Sequence, residues 1–242
     1  MQLAHQHNVV IVPYGGGTNV TQALYLETME NEKRMIVSLD LSRMNRILWV
    51  DKVNRIACVQ AGIRGQDLER ELKEAGMVCG HEPDSGEFST LGGWISTRAS
   101  GMKKNTYGNI EDIVHSFTVV TPTGTYKRAD NNPRMSAGPD LNLNFMGHEG
   151  NLGVITDAII TIHPIPEVRI FNSLIFPNFE IGQKFMEEMS RLRVYPTSIR
   201  LVDNMQFHFG QSLKPPEDST WHKFMSSVTQ FYLLTVKGFD VN

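Results

Sequence analysis

The run Pro13-Tyr14-Gly15-Gly16-Gly17-Thr18-Asn19-Val20 has residue types suited to holding an anion. It follows Val9-Val10-Ile11-Val12, an apolar run that reads as a short buried strand, so the glycines form a sharp turn at its end. Three successive residues without a Cβ let the backbone take positive φ and come close to a bound anion, and Thr18 and Asn19 add side-chain donors. A dinucleotide pyrophosphate fits that description. Neither of the two commonest phosphate loops is present, for the chain has no Gly-x-Gly-x-x-Gly and no Gly-Lys-Ser/Thr. A plain tight turn is the other reading of the same residues. Gly16→Val is expected to abolish ligand binding on the cradle reading, because a β-branched residue is poorly tolerated at positive φ.

Three more stretches share the composition of Gly15–Thr21. They are Asp84-Ser85-Gly86-Glu87-Phe88-Ser89-Thr90, Thr97-Arg98-Ala99-Ser100 and Glu149-Gly150-Asn151-Leu152-Gly153-Val154-Ile155. Each offers backbone N–H groups and most add hydroxyls. Together with Thr21 and its neighbours they could neutralise a pyrophosphate by hydrogen bonding, without a metal or a lysine cluster. Four unrelated surface loops are the alternative. Arg200, in Ser198-Ile199-Arg200-Leu201-Val202, faces away from its apolar neighbours if that run is a strand. It is then either a plain surface arginine or a planar fork for a phosphate-bearing substrate. His81 and Glu82 could form an acid/base pair or simply order the turn that follows. His208 and His222 read as surface or packing residues, Lys103 and Lys104 as solvated charges, and Met186 and Met189 as core.

Composition narrows the classes. With 242 residues the chain holds one large domain or two small ones. A net charge of −3 gives no reason to expect a nucleic-acid partner. Cys58 and Cys79 lack zinc-ligand spacing, and two cysteines do not make a disulfide scaffold. No apolar stretch approaches the ~18 residues of a membrane span. Met1–Asn8 resembles the last turns of a helix capped by Asn8, and the chain stops soon after the strand-like run at Phe231, so a piece of a longer protein is expected.

The elements that must position these loops are strands through the first two-thirds. Met35–Leu39, Ile47–Val50 and Ile56–Gln60 are apolar or alternating. Gly65–Ala75 reads as a helix with Leu68, Leu72 and Ala75 on one face, closed by Gly76. Gly80–Asp112 lacks periodicity and reads as a long ligand-wrapping loop anchored by Phe88, Leu91, Trp94 and Ile95. Val114–Thr121 and Thr125–Arg128 form a hairpin around Pro122-Thr123-Gly124, and Asn131–Leu143 is a polar loop. Thr156–His163 is a strand that Pro164 and Pro166 break, which sets a domain boundary there. Beyond it come strands at Asn172–Phe176 and Ser198–Val202, a helix capped by Asn178 with Phe185, Met189 and Leu192 on one face, and an amphipathic stretch over Trp221–Phe231. The class is α+β.

Gly15-Gly16-Gly17-Thr18-Asn19, Pro83-Asp84-Ser85, Gly92-Gly93 and Glu149–Ile155 resemble the FAD-binding domain of the vanillyl-alcohol-oxidase type flavoproteins. Within these, Met44–Val50, Gly80–Ser85, Ser96-Thr97-Arg98-Ala99-Ser100-Gly101-Met102-Lys103-Lys104-Asn105 and Tyr107–Asp112 resemble the alkylglycerone-phosphate synthase family over essentially the whole chain. The resemblance implies a two-subdomain FAD-binding module (PCMH-type) over residues 1–166, followed from residue 167 by the start of an α+β substrate cap domain. It implies FAD as cofactor, held by Gly15–Thr21, Asp84–Thr90, Thr97–Ser100 and Glu149–Ile155, with no metal. The implied reaction exchanges the acyl chain of acyl-dihydroxyacetone phosphate for a long-chain fatty alcohol, without net redox, in the peroxisomal synthesis of ether lipids. A homodimer with peripheral membrane contact is implied for the complete protein, and Arg200 matches a family arginine important for activity.

The chain departs from the family pattern at Gly86, where Leu is expected, at Asn19 and His148, where Ser is usual, and at Asn151, where Thr is usual. The family's catalytic tyrosine, its histidine-rich motif and a second substrate arginine are expected beyond residue 242, so these residues alone are expected not to turn over. Two alternatives stay open. An FAD-linked 2-hydroxy-acid dehydrogenase would carry Thr-Asn-Ala-Gly-Gly where Thr97-Arg98-Ala99-Ser100 stands. A truncated, non-catalytic paralogue would lack flavin absorbance.

Overall fold

The computed structural model describes residues 1–26, 30–128, 136–213, 228, 231, 232 and 235. In chain order the elements are α1 (Gln2–Gln6), β1 (Val10–Tyr14), β2 (Ile36–Asp40), β3 (Ile47–Asp51), β4 (Ile56–Gln60), α2 (Gly65–Glu74) and β5 (Met77–Val78). Then follow α3 (Leu91–Thr97), α4 (Lys104–Tyr107), α5 (Ile110–Ile113), β6 (Val114–Val120), β7 (Thr125–Lys127), α6 (Asn142–Phe145), β8 (Val154–Thr161) and β9 (His163–Pro164). The last are α7 (Phe179–Leu192) and α8 (Asn204–Ser212). Contacts divide the chain into Met1–Glu167 and Val168–Asn242.

In the first unit β1 and β2 pair in parallel, from Val10 opposite Ile36 to Tyr14 opposite Asp40. The main sheet is antiparallel and five-stranded, in the order β3-β4-β8-β6-β7. Its register sets Ala57 opposite Ile160 and Val59 opposite Ala158, so small and branched residues share one face. That face, with Phe117 and Val119 from β6, packs on Leu68 and Leu72 of α2 and on Leu91, Trp94 and Ile95 of α3. The opposite face carries Trp49, Thr118, Lys127 and Asp157, and there the Thr118 hydroxyl donates to Asp157 Oδ1 at 3.0 Å. One packed face and one polar face is the usual division in an antiparallel sheet.

Helix α2 forms because Leu68 and Leu72, four apart, reach the core while Asp67 and Arg70 pair at 2.6 Å on the outside. Gly76 ends it at φ +76°, the left-handed position that a Cβ disfavours.

The expected long loop over Gly80–Asp112 is not one loop. It contains three short helices, α3, α4 and α5. Their signals are local caps rather than periodicity. Thr90 Oγ1 accepts from Gly93 N at 3.3 Å, and Asn109 and Asp112 form a reciprocal capping box. The glycines that hide α3 from a periodicity search serve packing. A Cβ at Gly92 would lie 2.9 Å from Ala61 Cβ, so a larger residue would push the helix off the chain just after β4.

In the second unit α7 begins as expected, with Ile181 N donating to Asn178 Oδ1 at 3.0 Å. Phe185 packs on Phe176 with ring centroids 5.3 Å apart, while Leu192 is exposed. Asn172–Phe176 and Ser198–Val202 are irregular rather than strands. A strand needs a neighbour for its N–H and C=O groups, and the sheets here pair no described residue of this unit. Most of Trp221–Phe231 lies outside the described residues, and Phe231, expected in a strand-like run, is helical.

Candidate functional site

A cleft of about 320 Å³ opens where the turn after β1 meets the N-terminal end of α3 and the start of β8. All of Gly15–Thr21 lines it. So do Ser85, Ser89 and Thr90 from the second stretch, with Pro83 just before it, Thr97 and Ala99 from the third, and Glu149, Gly150, Gly153 and Ile155 from the fourth. The four stretches, separated by up to 140 positions in sequence, are therefore walls of one space.

Several expected site residues stand outside that lining. Asp84, Glu87 and Phe88 are exposed on the turn, and Gly86 instead accepts from Gln66 N through its carbonyl at 3.1 Å. Arg98 is the C-cap of α3 at φ +53°, with Nε 3.8 Å from Glu111 Oε1. Ser100 donates to Asn109 Oδ1 at 2.9 Å. Val154 is buried in β8. Asn151 and Leu152 belong to a turn organised by His148, which is buried and whose Nδ1 accepts from Gly150 N at 3.0 Å and Leu152 N at 3.3 Å. His148 thus takes up two of the backbone donors that the sequence offers to a ligand. Arg200 is exposed in the second unit, between half-buried Ile199 and Leu201.

The glycine turn works by proximity, and positive φ explains only one of its three residues. Gly17 sits at φ +69°, whereas Gly15 and Gly16 do not occupy the left-handed region. A Cβ on Gly16 would lie 2.0 Å from the Phe88 carbonyl oxygen and 2.8 Å from Ser89 Cα. A Cβ on Gly15 would lie 2.4 Å from Thr90 Oγ1. The missing side chains let the first wall of the cleft touch the second. A further tie joins the first wall to the fourth. Thr21 Oγ1 donates to Glu149 Oε2, and Asn19 Nδ2 donates to Thr21 Oγ1 at 3.1 Å.

Among the described residues, no lysine or arginine lines the cleft. Its donors are backbone N–H groups and the hydroxyls of Thr18, Ser85, Ser89, Thr90 and Ser96, while the Thr97 hydroxyl donates to the Gly93 carbonyl at 2.9 Å. Such a set suits a diphosphate held by many neutral hydrogen bonds, and the apolar Leu24, Leu41, Trp94 and Ile155 suit flat rings. The residues present therefore fit a flavin dinucleotide. Among the lining residues, Trp94 was legible in the sequence as an apolar anchor and Ser96 as part of the family-like run, and neither was read as a site residue because they sit inside a helix that periodicity does not reveal.

The comparisons with known proteins fit this geometry. The family model described as FAD binding domain matches residues 1–130. The chain belongs to the FAD-binding-domain family. In this FAD-binding domain, of the vanillyl-alcohol-oxidase type with mixed α and β structure, the cofactor is FAD. The chain is 52% identical to the alkyldihydroxyacetonephosphate synthase of Caenorhabditis elegans, over 99% of this chain and 40% of that protein. It is 41% identical to the enzyme of the same name from Dictyostelium discoideum, over 99% of this chain and 38% of that protein. A solved alkyldihydroxyacetonephosphate synthase superposes with a TM-score of 0.86 at 40% identity, covering 99% of this chain and 42% of that one. The chain thus spans about two-fifths of the length of these relatives.

Behind the cleft lies an unusual histidine. His81 is 3% exposed, neither ring nitrogen has a hydrogen-bond partner among the described residues, and its ring meets that of Trp94 edge-on at 4.8 Å. Glu82, one of whose two readings was an acid/base partner for His81, pairs with Lys103. Burial lowers the His81 pKa from 6.5 to about 4. The unfolded chain therefore takes up the proton first as pH falls, so the stability present above pH 6.5 is lost on the way to about 4. The full loss is roughly 3 kcal/mol. Glu69, whose buried carboxyl is pushed above its usual range, works in the opposite sense. The comparison that isolates His81 is His81→Phe, whose urea midpoint is expected to fall less than that of the parent between about pH 7 and pH 5. Equal pH slopes for the two proteins would assign the acid limb to other groups.

Proposed function

We propose that the cleft is the FAD site and that the complete protein is an alkylglycerone-phosphate synthase. The observation that carries this is the convergence of the four stretches on one cleft, in a chain 52% identical to an alkyldihydroxyacetonephosphate synthase along 99% of its length. Gly15–Thr21, with Ser85, Ser89 and Thr90, holds the diphosphate. Thr97, Ala99 and the Glu149–Ile155 turn hold the remainder of the dinucleotide. Asp84, Gly86, Glu87, Phe88, Arg98, Ser100, Asn151, Leu152 and Val154 shape these turns. Bound FAD supplies the reactive ring to which the substrate is presented, with no net oxidation. This chain's own part is to bind and orient the cofactor and to keep water from its buried edge.

In this proposal, residues 1–166 form the cofactor domain and residues 167–242 the start of the substrate cap. Arg200, on the cap side, pairs with the phosphate of acyl-dihydroxyacetone phosphate, for which a guanidinium fork is well shaped. The second substrate is a long-chain fatty alcohol, the product an ether lipid precursor, the compartment the peroxisome and the assembly a homodimer.

Incubating the complete protein with acyl-dihydroxyacetone phosphate and radiolabelled hexadecanol tests the activity. Label is expected in an alkyl ether, and the flavin absorbance is expected to stay oxidised when D-lactate is added. Bleaching by D-lactate without label transfer would instead assign a 2-hydroxy-acid dehydrogenase. Arg200→Lys, which keeps the charge but loses the fork, is expected to raise the KM for the phosphate substrate about tenfold at unchanged FAD content. An unchanged KM would remove Arg200 from the substrate site.

A further inference from the structure

The Ser89 hydroxyl sits on the cleft wall and is 4% exposed. Trp94 Nε1 donates to its oxygen at 2.7 Å. An indole N–H can only donate, so this contact occupies a lone pair of Ser89 and leaves its proton to be placed elsewhere. Among the described residues no protein acceptor takes that proton, and the cleft is the side on which one can be supplied. Thr90, the next residue, is arranged in the same way. Its Oγ1 accepts from the backbone N–H of Gly93 at 3.3 Å, and it too lines the cleft.

The donor that sets this polarity is held firmly. The Trp94 side chain is 2% exposed, with the His81 ring edge-on at 4.8 Å on one side. On another, Gly65 approaches so closely that a Cβ there would lie 2.7 Å from Trp94 Cζ2. An indole packed in this way cannot turn its N–H away without reopening the core.

We propose that Trp94 is a positioning residue that, with the Gly93 N–H, orients the Ser89–Thr90 pair so that both hydroxyl protons are directed toward acceptor oxygens of FAD. Each hydroxyl spends one of its two lone pairs on the protein and keeps its proton for the ligand. A site so biased favours groups that only accept, such as diphosphate oxygens and ring carbonyls, over alcohols and amides that need an acceptor in return. The proposal rests on FAD occupying the cleft.

The test is a double-mutant cycle read by quenching of FAD fluorescence on the refolded apo chain, with thermal melting of each apo protein as the folding control. Trp94→Phe keeps an aromatic ring but lacks the N–H, and about tenfold weaker FAD binding is expected. Ser89→Ala is expected to lose about as much, and the double variant no more than either single one. A second probe replaces Trp94 by its isosteric analogue with sulfur in place of the N–H, which preserves packing and is expected to show the same loss. Unchanged affinity in that analogue, or full additivity in the cycle, would overturn the proposal. Gly16→Val separates the two levels. Loss of FAD there beside unchanged affinity in the analogue sinks only the role of Trp94. Full affinity in Gly16→Val would remove FAD from the cleft, and this proposal with it.

Discussion

Gly16→Val is expected to weaken FAD binding by more than about 100-fold. The cause is contact between two backbones. Any Cβ at this position meets the Phe88 carbonyl oxygen at 2.0 Å, its carbonyl carbon at 2.7 Å and Ser89 Cα at 2.8 Å. None of these atoms is the end of a flexible side chain, so the turn after β1 must lift off the Ser85–Thr90 wall. Lifting it widens the space between donors that must act together, and hydrogen bonds weaken steeply with such displacement. Gly16→Ala should do nearly as much damage, because the first carbon already clashes. Gly17→Ala should do less. That position has φ +69°, which costs on the order of 1 kcal/mol for a residue with a side chain, and its nearest obstacle is the movable Tyr14 hydroxyl at 2.8 Å. Titrating FAD into the three variants checks the order. A larger loss in Gly17→Ala than in Gly16→Ala would show that backbone conformation, and not proximity, governs the turn.

Trp94→Ala is expected to destabilise the first unit by about 4 kcal/mol and to lower its Tm on the order of 10 °C. The indole fills the space between α3, Gly65 of α2 and His81, and it is 2% exposed. Removing it leaves a cavity among residues held by three different elements, which cannot all collapse inward. The loss includes the bond to Ser89, whose hydroxyl would then lack its buried donor. Differential scanning calorimetry of the apo chain checks this, with the transition of the first unit followed separately from that of the second. A Tm within about two degrees of the parent would mean that Trp94 is not part of the packed core.

The strands of the first unit were legible as short runs of apolar and β-branched residues. Ile56–Gln60 has the bounds read from the sequence, and the expected Met35–Leu39 falls one residue before Ile36–Asp40. Helix α2 was legible from Leu68, Leu72 and Gly76. Helix α3 was not, because Gly92, which lets the backbone approach Ala61, and Gly93 both have low helix propensity. Its evidence was the cap at Thr90, which looks like one more hydroxyl in a polar loop. The second unit misled in the opposite direction. Asn172–Phe176 and Ser198–Val202 have strand-like composition, yet alternation alone does not supply a partner strand. Half-buried Ile199 and Leu201 around exposed Arg200 show that the alternation was about burial.

In the site, composition located the four stretches but not the role of each residue within them. Ser89 and Phe88 are adjacent and equally unremarkable in sequence. One lines the cleft at 4% exposure, while the other is 60% exposed and contributes its carbonyl to the contact with Gly16. His148 reads as a substitution for serine in a ligand loop. Its Nδ1 instead gathers the N–H groups of Gly150 and Leu152, which fixes the turn that carries Glu149. Such divisions depend on which side of a turn faces inward, and only the packed neighbours decide that.

Backbone amide hydrogen exchange, measured on the chain with and without FAD, tests the central claim most directly. Amides of Gly15–Thr21, Ser85–Thr90, Thr97–Ala99 and Glu149–Ile155 should slow together on adding FAD, since these four stretches wall one cleft. The polar face of the sheet around Trp49 and Cys58 should exchange as before. Protection confined to that outer face, with the four stretches unchanged, would contradict the account.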